Sequence, residues 1–128
     1  MAKNLVQSDG VKLWTNGTGA AVTSGQLVKA QNMLGVALVD IANGATGSVD
    51  FTSSKVFSGV AKVSAAVFVV GEKLIFDVSA NSGAGALDDS SATPAAGDVT
   101  GGCIAWAAGA NTELTCTVML TPGNTLVT

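Results

Sequence analysis

Short apolar runs alternate along this chain with polar breaks that contain glycine, at intervals of roughly ten residues. The breaks include Asp9-Gly10, Asn16-Gly17-Thr18-Gly19, Ser24-Gly25, Asn43-Gly44, Ser58-Gly59, Val70-Gly71, Gly101-Gly102 and Pro122-Gly123. Between them lie stretches rich in Val, Ile, Leu, Phe and Thr. Strands of that length and spacing predict an all-β protein, a single-domain β-barrel or sandwich of short antiparallel strands with Gly-rich turns. Nothing along the chain sustains a capped 3.6-residue period over helical length. Strands are expected over 11–15, 26–30, 34–41, 48–57 and 73–78. The run 34–41 is almost wholly apolar, which predicts a strand covered on both faces. The clearest alternation comes late: Leu114, Cys116, Val118 and Leu120 share one face, and Thr115, Thr117, Met119 and Thr121 the other. Ile104, Trp106 and Ala108 are expected to supply the facing strand.

Two stretches resist this reading. Residues 60–68 admit one short helical turn around Ala61, Lys62 and 64–66. Residues 81–102, rich in Ser, Ala, Gly and Asp, predict a long loop, either a surface excursion that touches a neighbour or a tip without a role. The organisation expected is a polar N-terminal arm over residues 1–10 and one β domain over 11–128.

Composition narrows the chemistry. The chain has no His, no Arg and no Tyr; 12% of residues are charged and 48% hydrophobic. The usual general base near neutral pH and the usual fork for phosphate are therefore missing. Small apolar residues dominate, and the mean hydropathy is +0.48. No apolar run is long enough for a membrane-spanning helix. So apolar a chain is expected to bury surface against other subunits, as a homo-oligomer with a trimer first and a dimer second. The formal net charge is −3, and the six lysines are scattered singly. Such a distribution argues against a nucleic-acid partner. The opening Met1-Ala2-Lys3-Asn4 lacks the apolar core of a secretory signal, so synthesis in the cytoplasm is expected. Cys103 and Cys116 are too few for a zinc site. A turn over 109–112 would bring them near each other, but a reducing compartment favours buried free thiols.

Candidate reactive constellations are weak. The glycines of 16–19 and 82–85 lack the Gly-Lys-Ser or Gly-Lys-Thr ending of a phosphate loop. Asp88, Asp89 and Asp98 match no calcium-loop spacing. Asp40, Asp50 and Asp77 are candidates for paired acids, with nothing to fix their separation. A serine triad is impossible without His, which leaves a Ser–Lys pair as the conceivable nucleophile. Trp14 and Trp106 are expected in the core or at an interface. No catalytic residue, cofactor or metal site is expected.

One string resembles a known family: Gly35-Val36-Ala37-Leu38-Val39-Asp40-Ile41-Ala42-Asn43-Gly44-Ala45-Thr46-Gly47, with Val6-Gln7, Val56-Phe57, Lys62 and Gly71-Glu72-Lys73-Leu74-Ile75-Phe76-Asp77 around it. In that order they resemble the capsid cement, or head decoration, proteins of tailed bacteriophages. That family commonly has Tyr-Trp where this chain has Ile75-Phe76. Related sequences are often labelled RecA/RadA-like recombinases, but the nucleotide loop such an ATPase requires is absent here. The resemblance implies a non-enzymatic virion protein that binds the major capsid protein on the outside of the expanded head and stabilises contacts between capsomers. The alternatives are another virion β-module, from a tail tube or baseplate, or a small hydrolase. The polar arm, with Ala2, Lys3, Asn4, Leu5, Val6 and Gln7, is the candidate capsid contact, by strand addition to a capsid edge.

Overall fold

The computed structural model describes residues 3–128, and they form two antiparallel sheets, one of which curls into a half-barrel. The first sheet holds β1 (Val11–Thr15), β2 (Leu27–Ala30), β3 (Met33–Ala37) and β4 (Thr46–Asp50), in the order β1-β4-β3-β2. The second holds β5 (Val56–Ala61), β6 (Lys73–Asp77), β7 (Ala86–Asp88), β8 (Val99–Ala105) and β9 (Thr115–Leu120), in the order β5-β9-β8-β6-β7, with β10 (Leu126–Val127) paired to β8.

Register explains the burial of β3. Leu27 faces Val36 and Lys29 faces Leu34, so Leu27, Leu34 and Val36 share one side of the sheet. That side packs on Val60, Leu74, Phe76, Leu87, Val99, Cys103, Ala105, Val118 and Leu120 of the second sheet. Val28 opposite Gly35 and Ala37 opposite Val49 turn the other way. They join Val22, Ile41 and Phe51 in a second cluster, flanked by Trp14, Ala30 and Met33. Because β3 lies between two cores, its sequence is apolar without alternation. Where the sheets meet, a Cβ on Gly102 would stand 2.6 Å from Leu34 Cδ1, so only glycine lets β8 approach this closely.

Four expectations need correction. The run 48–57 is two strands, not one. Asp50 ends β4 because its carboxylate accepts hydrogen bonds from the Thr52 N–H (2.9 Å) and hydroxyl (2.5 Å) and from the Lys55 ammonium (2.6 Å), which folds 51–55 into a turn. The run 34–41 stops at Ala37, and Leu38 and Val39 are exposed before Ile41 rejoins the fold by bridging Val22. Residues 60–68 hold no helix: Ala61 ends β5, and a single hydrogen-bonded turn at Ser64-Ala65 follows, closed by Ala66 N–H donating to Val63 O (3.1 Å). Residues 81–102 are not one loop. They contain a 3₁₀ turn (Asn81–Gly83), β7 and the first half of β8.

The partner of the last long strand is β8, but its inward face is Cys103 and Ala105, opposite Leu120 and Val118. Ile104 pairs with Met119 on the outer side, and Trp106 is exposed. A shift of one residue in register exchanges the faces of a strand.

Candidate functional site

The polar side chains are committed to holding turns. The sequence contains nine acids, and every one accepts a backbone N–H. Asp9 accepts from Val11, Asp40 from Ser24, Asp50 from Thr52 and Asp88 from Asp89. Asp77 accepts from Ser79 and Ala80, Asp89 from Ser91 and Val67, and buried Asp98 from Val78 and Ala95. Glu72 accepts from Val69 and Ser90, and Glu113 from Ala110.

These contacts set the acidities. Serine hydroxyl bonds, from Ser79 and Ser91, are the main cause that holds Asp77 and Asp89 below the ordinary carboxylate value. Burial pushes Asp50 and Glu72 up, but hydrogen bonds from Lys55 and Thr52 to the first, and from Ser90 and Val69 to the second, outweigh it and leave both lowered. A general acid near neutral pH needs the opposite shift. Asp40, Asp50 and Asp77 are bonded to separate segments: Ser24 for the first, Thr52 and Lys55 for the second, Ser79 and Ala80 for the third. Among the described residues no group of three or more Cys, Asp or Glu side chains is arranged to hold a metal ion.

Three of the six lysines are engaged as well. Lys29 donates to Gly97 O (2.7 Å) and Lys55 pairs with Asp50. Lys62 is buried; its ammonium donates to the carbonyls of Val63, Ser64 and Glu113 and lies 5.4 Å from the Phe68 ring centroid. These three ammoniums sit on carbonyl and carboxylate oxygens, not on a serine hydroxyl. The glycine loop at 16–19 is filled by its own Asn16, whose side-chain oxygen accepts from the Thr18 N–H and hydroxyl. Both cysteines are free thiols. Burial raises both, Cys116 to about 11 and Cys103 further.

The arm is where the surface is least engaged. Ala2 lies outside the described residues. Lys3, Asn4, Leu5, Val6 and Gln7 are all exposed, and Val6 is 97% accessible. The Gln7 side chain folds back on the chain, donating to Asp9 Oδ1 and Val11 O. The root of the arm is fixed: Gly10 N–H donates to Thr52 Oγ1 (3.1 Å), and Phe51 N–H donates to Gly10 O (2.8 Å). From there the chain enters β1, an edge strand of its sheet. The arm thus presents two apolar side chains, Leu5 and Val6, beside an unpaired strand edge.

A second apolar surface escaped the sequence reading. Val67, Val69, Val70 and Trp106 are all more than half exposed. The signal was present: neither 63–71 nor 105–112 contains a charged residue.

A family model for phage cement proteins matches residues 6–120, and the chain belongs to that family. No curated protein and no solved structure matches it. Family membership gives the chain a structural place in the phage virion and an association with the capsid.

Proposed function

We propose that this protein binds the outer surface of the expanded phage head and ties neighbouring capsomers together, without catalysis. The observation that carries the reading is the commitment of the polar groups. Every acid holds a backbone N–H, so the body is stiff, and large apolar side chains are left on the outside. Little ordering entropy is lost when such a body docks. Each molecule contacts more than one capsid subunit, so weak contacts add through high effective concentration.

The arm is one of those contacts. Residues 3–8 reach at most about 20 Å when extended, enough to add a short strand to a neighbouring capsid edge while Gly10 stays clamped. A trimer fits a threefold position of the shell and a dimer a twofold position. The protein is made in the host cytoplasm and acts on the assembled particle.

The test is co-sedimentation with expanded empty heads of the cognate phage. Saturable pelleting is expected, and removal of residues 1–8 should weaken it without lowering the unfolding temperature. Absence of pelleting by the intact protein would overturn the cement reading. Undiminished pelleting after truncation would remove the arm from it. Light scattering on the free protein reads its oligomeric state.

A further inference from the structure

Resting on that reading, we infer that the apolar lobe built from residues 63–71 and 105–112 is a docking surface for a capsid-protein patch whose apolar centre is rimmed by Lys or Arg. The two segments are far apart in sequence and are laced together by backbone hydrogen bonds. Phe68 and Gly109 exchange both bonds, at 2.9 and 3.1 Å. Further along, Gly71 N–H donates to Ala105 O (2.7 Å) and Ala105 N–H to Glu72 O (3.0 Å). Two residues of one segment thus oppose one of the other, a bulge in which Gly71 takes a φ of 87°. Phe68 points into the core. Its neighbours Val67 and Val69, 53% and 69% exposed, stand outside, with Val70 (62%) and Trp106 (52%).

Four large side chains at this exposure present a few hundred Å² of apolar surface, the scale at which a patch on a soluble protein signals a binding site. The centre contains a Trp, the residue type most enriched where binding energy concentrates.

The lobe is held rigid from below and from the sides. Lys62 lies underneath and joins three carbonyls to one another, as described above. Glu72 clamps Val69 N–H at 2.9 Å and Ser90 N–H at 2.7 Å. Glu113 clamps Ala110 N–H at 2.7 Å, and Asp89 reaches Val67 N–H. A surface fixed in this way has little conformational freedom to lose on binding.

The same clamps give the lobe its charge. Glu72, Asp89 and Glu113 stand at its margin as carboxylates. Lys62 is buried, and Lys73, across from Ile104 on the sheet, is the exposed cation next to them. The rim is therefore net negative around a neutral apolar centre. Two copies meeting lobe to lobe would set acidic rims against each other, which disfavours a second copy of this chain. A partner with basic residues around an apolar socket satisfies both parts.

The experiment compares wild type with Trp106→Ala and with the double variant Val69→Ser/Val70→Ser, using pelleting with expanded empty heads at low and at high salt. Glu113→Gln, which keeps an acceptor for Ala110 N–H, tests the rim. Circular dichroism melts check folding, and light scattering checks oligomeric state. The lobe variants are expected to fold, to keep the oligomeric state of wild type and to bind heads about tenfold more weakly or worse. Glu113→Gln should bind more weakly at low salt and approach wild type at high salt. If wild type pellets and the folded lobe variants pellet equally well, the lobe assignment is wrong and the cement reading stands. If the variants change oligomeric state but still bind heads, the lobe is a self-association surface and the assignment is wrong. If wild type fails to pellet, both fall.

Discussion

Asp50→Asn probes the anchoring of the arm with a nearly isosteric change. The wild-type carboxylate is inaccessible to solvent, while the Lys55 side chain is about half exposed. Their ion pair is therefore only partly desolvated, and its loss is worth about 1 kcal/mol, near the upper end for exposed pairs. The two Thr52 bonds become neutral, each weakening by about 0.5 kcal/mol, or roughly 1 kcal/mol together. The new amide N–H groups then face the Lys55 ammonium, so a buried donor is left unpaired at about 1 kcal/mol. The total is roughly 2–3 kcal/mol. For a domain of this size that lowers the melting temperature by about 8–12 °C. Acid supplies the control. The folded pKa of Asp50 lies below its ordinary value of 3.8. Its contribution is therefore complete above that value and is lost as pH falls through the lower folded pKa. Urea unfolding followed by circular dichroism at pH 7, and then at steps below pH 4, should show the gap between wild type and variant narrowing on acidification. A gap under about 0.5 kcal/mol at pH 7, or one that does not change with acid, would refute the assignment.

Leu34→Ala is expected to cost about 3 kcal/mol in urea unfolding, because the side chain is fully buried between the sheets. Gly102→Ala should cost about 1–3 kcal/mol by overpacking the same spot, and the pair should cost less than the sum, since the cavity of one accepts the methyl of the other. With Cys116 raised to about 11 and Cys103 higher still, a thiol-directed disulfide reagent at pH 8 should label the native protein slowly and label both residues once it is unfolded; rapid labelling of the folded protein would contradict their environment.

Leu5 and Val6 precede the first glycine break, and both are exposed. The root of the arm was not legible in the sequence. Gly10 is held by Thr52, which is set by Asp50 and Lys55, and such a chain of contacts across 42 positions leaves no local pattern. The lobe was written in the sequence as two charge-free stretches, but neither stretch names the other. Their meeting depends on the Phe68–Gly109 bridge and the bulge at Gly71.

By itself the sequence determined that the chain is built of short strands, because glycine and Asn or Asp set where the backbone reverses and β-branched residues fill the intervals. It also determined that β3 would be covered on both sides, because a strand with no polar face has none to give to water. Tertiary structure decided which face of β8 is buried, and with it the exposure of Trp106. Side chains alternate with a period of two, so a single bulge or a one-residue change in pairing reverses in from out, and pairing is settled between strands and not within them.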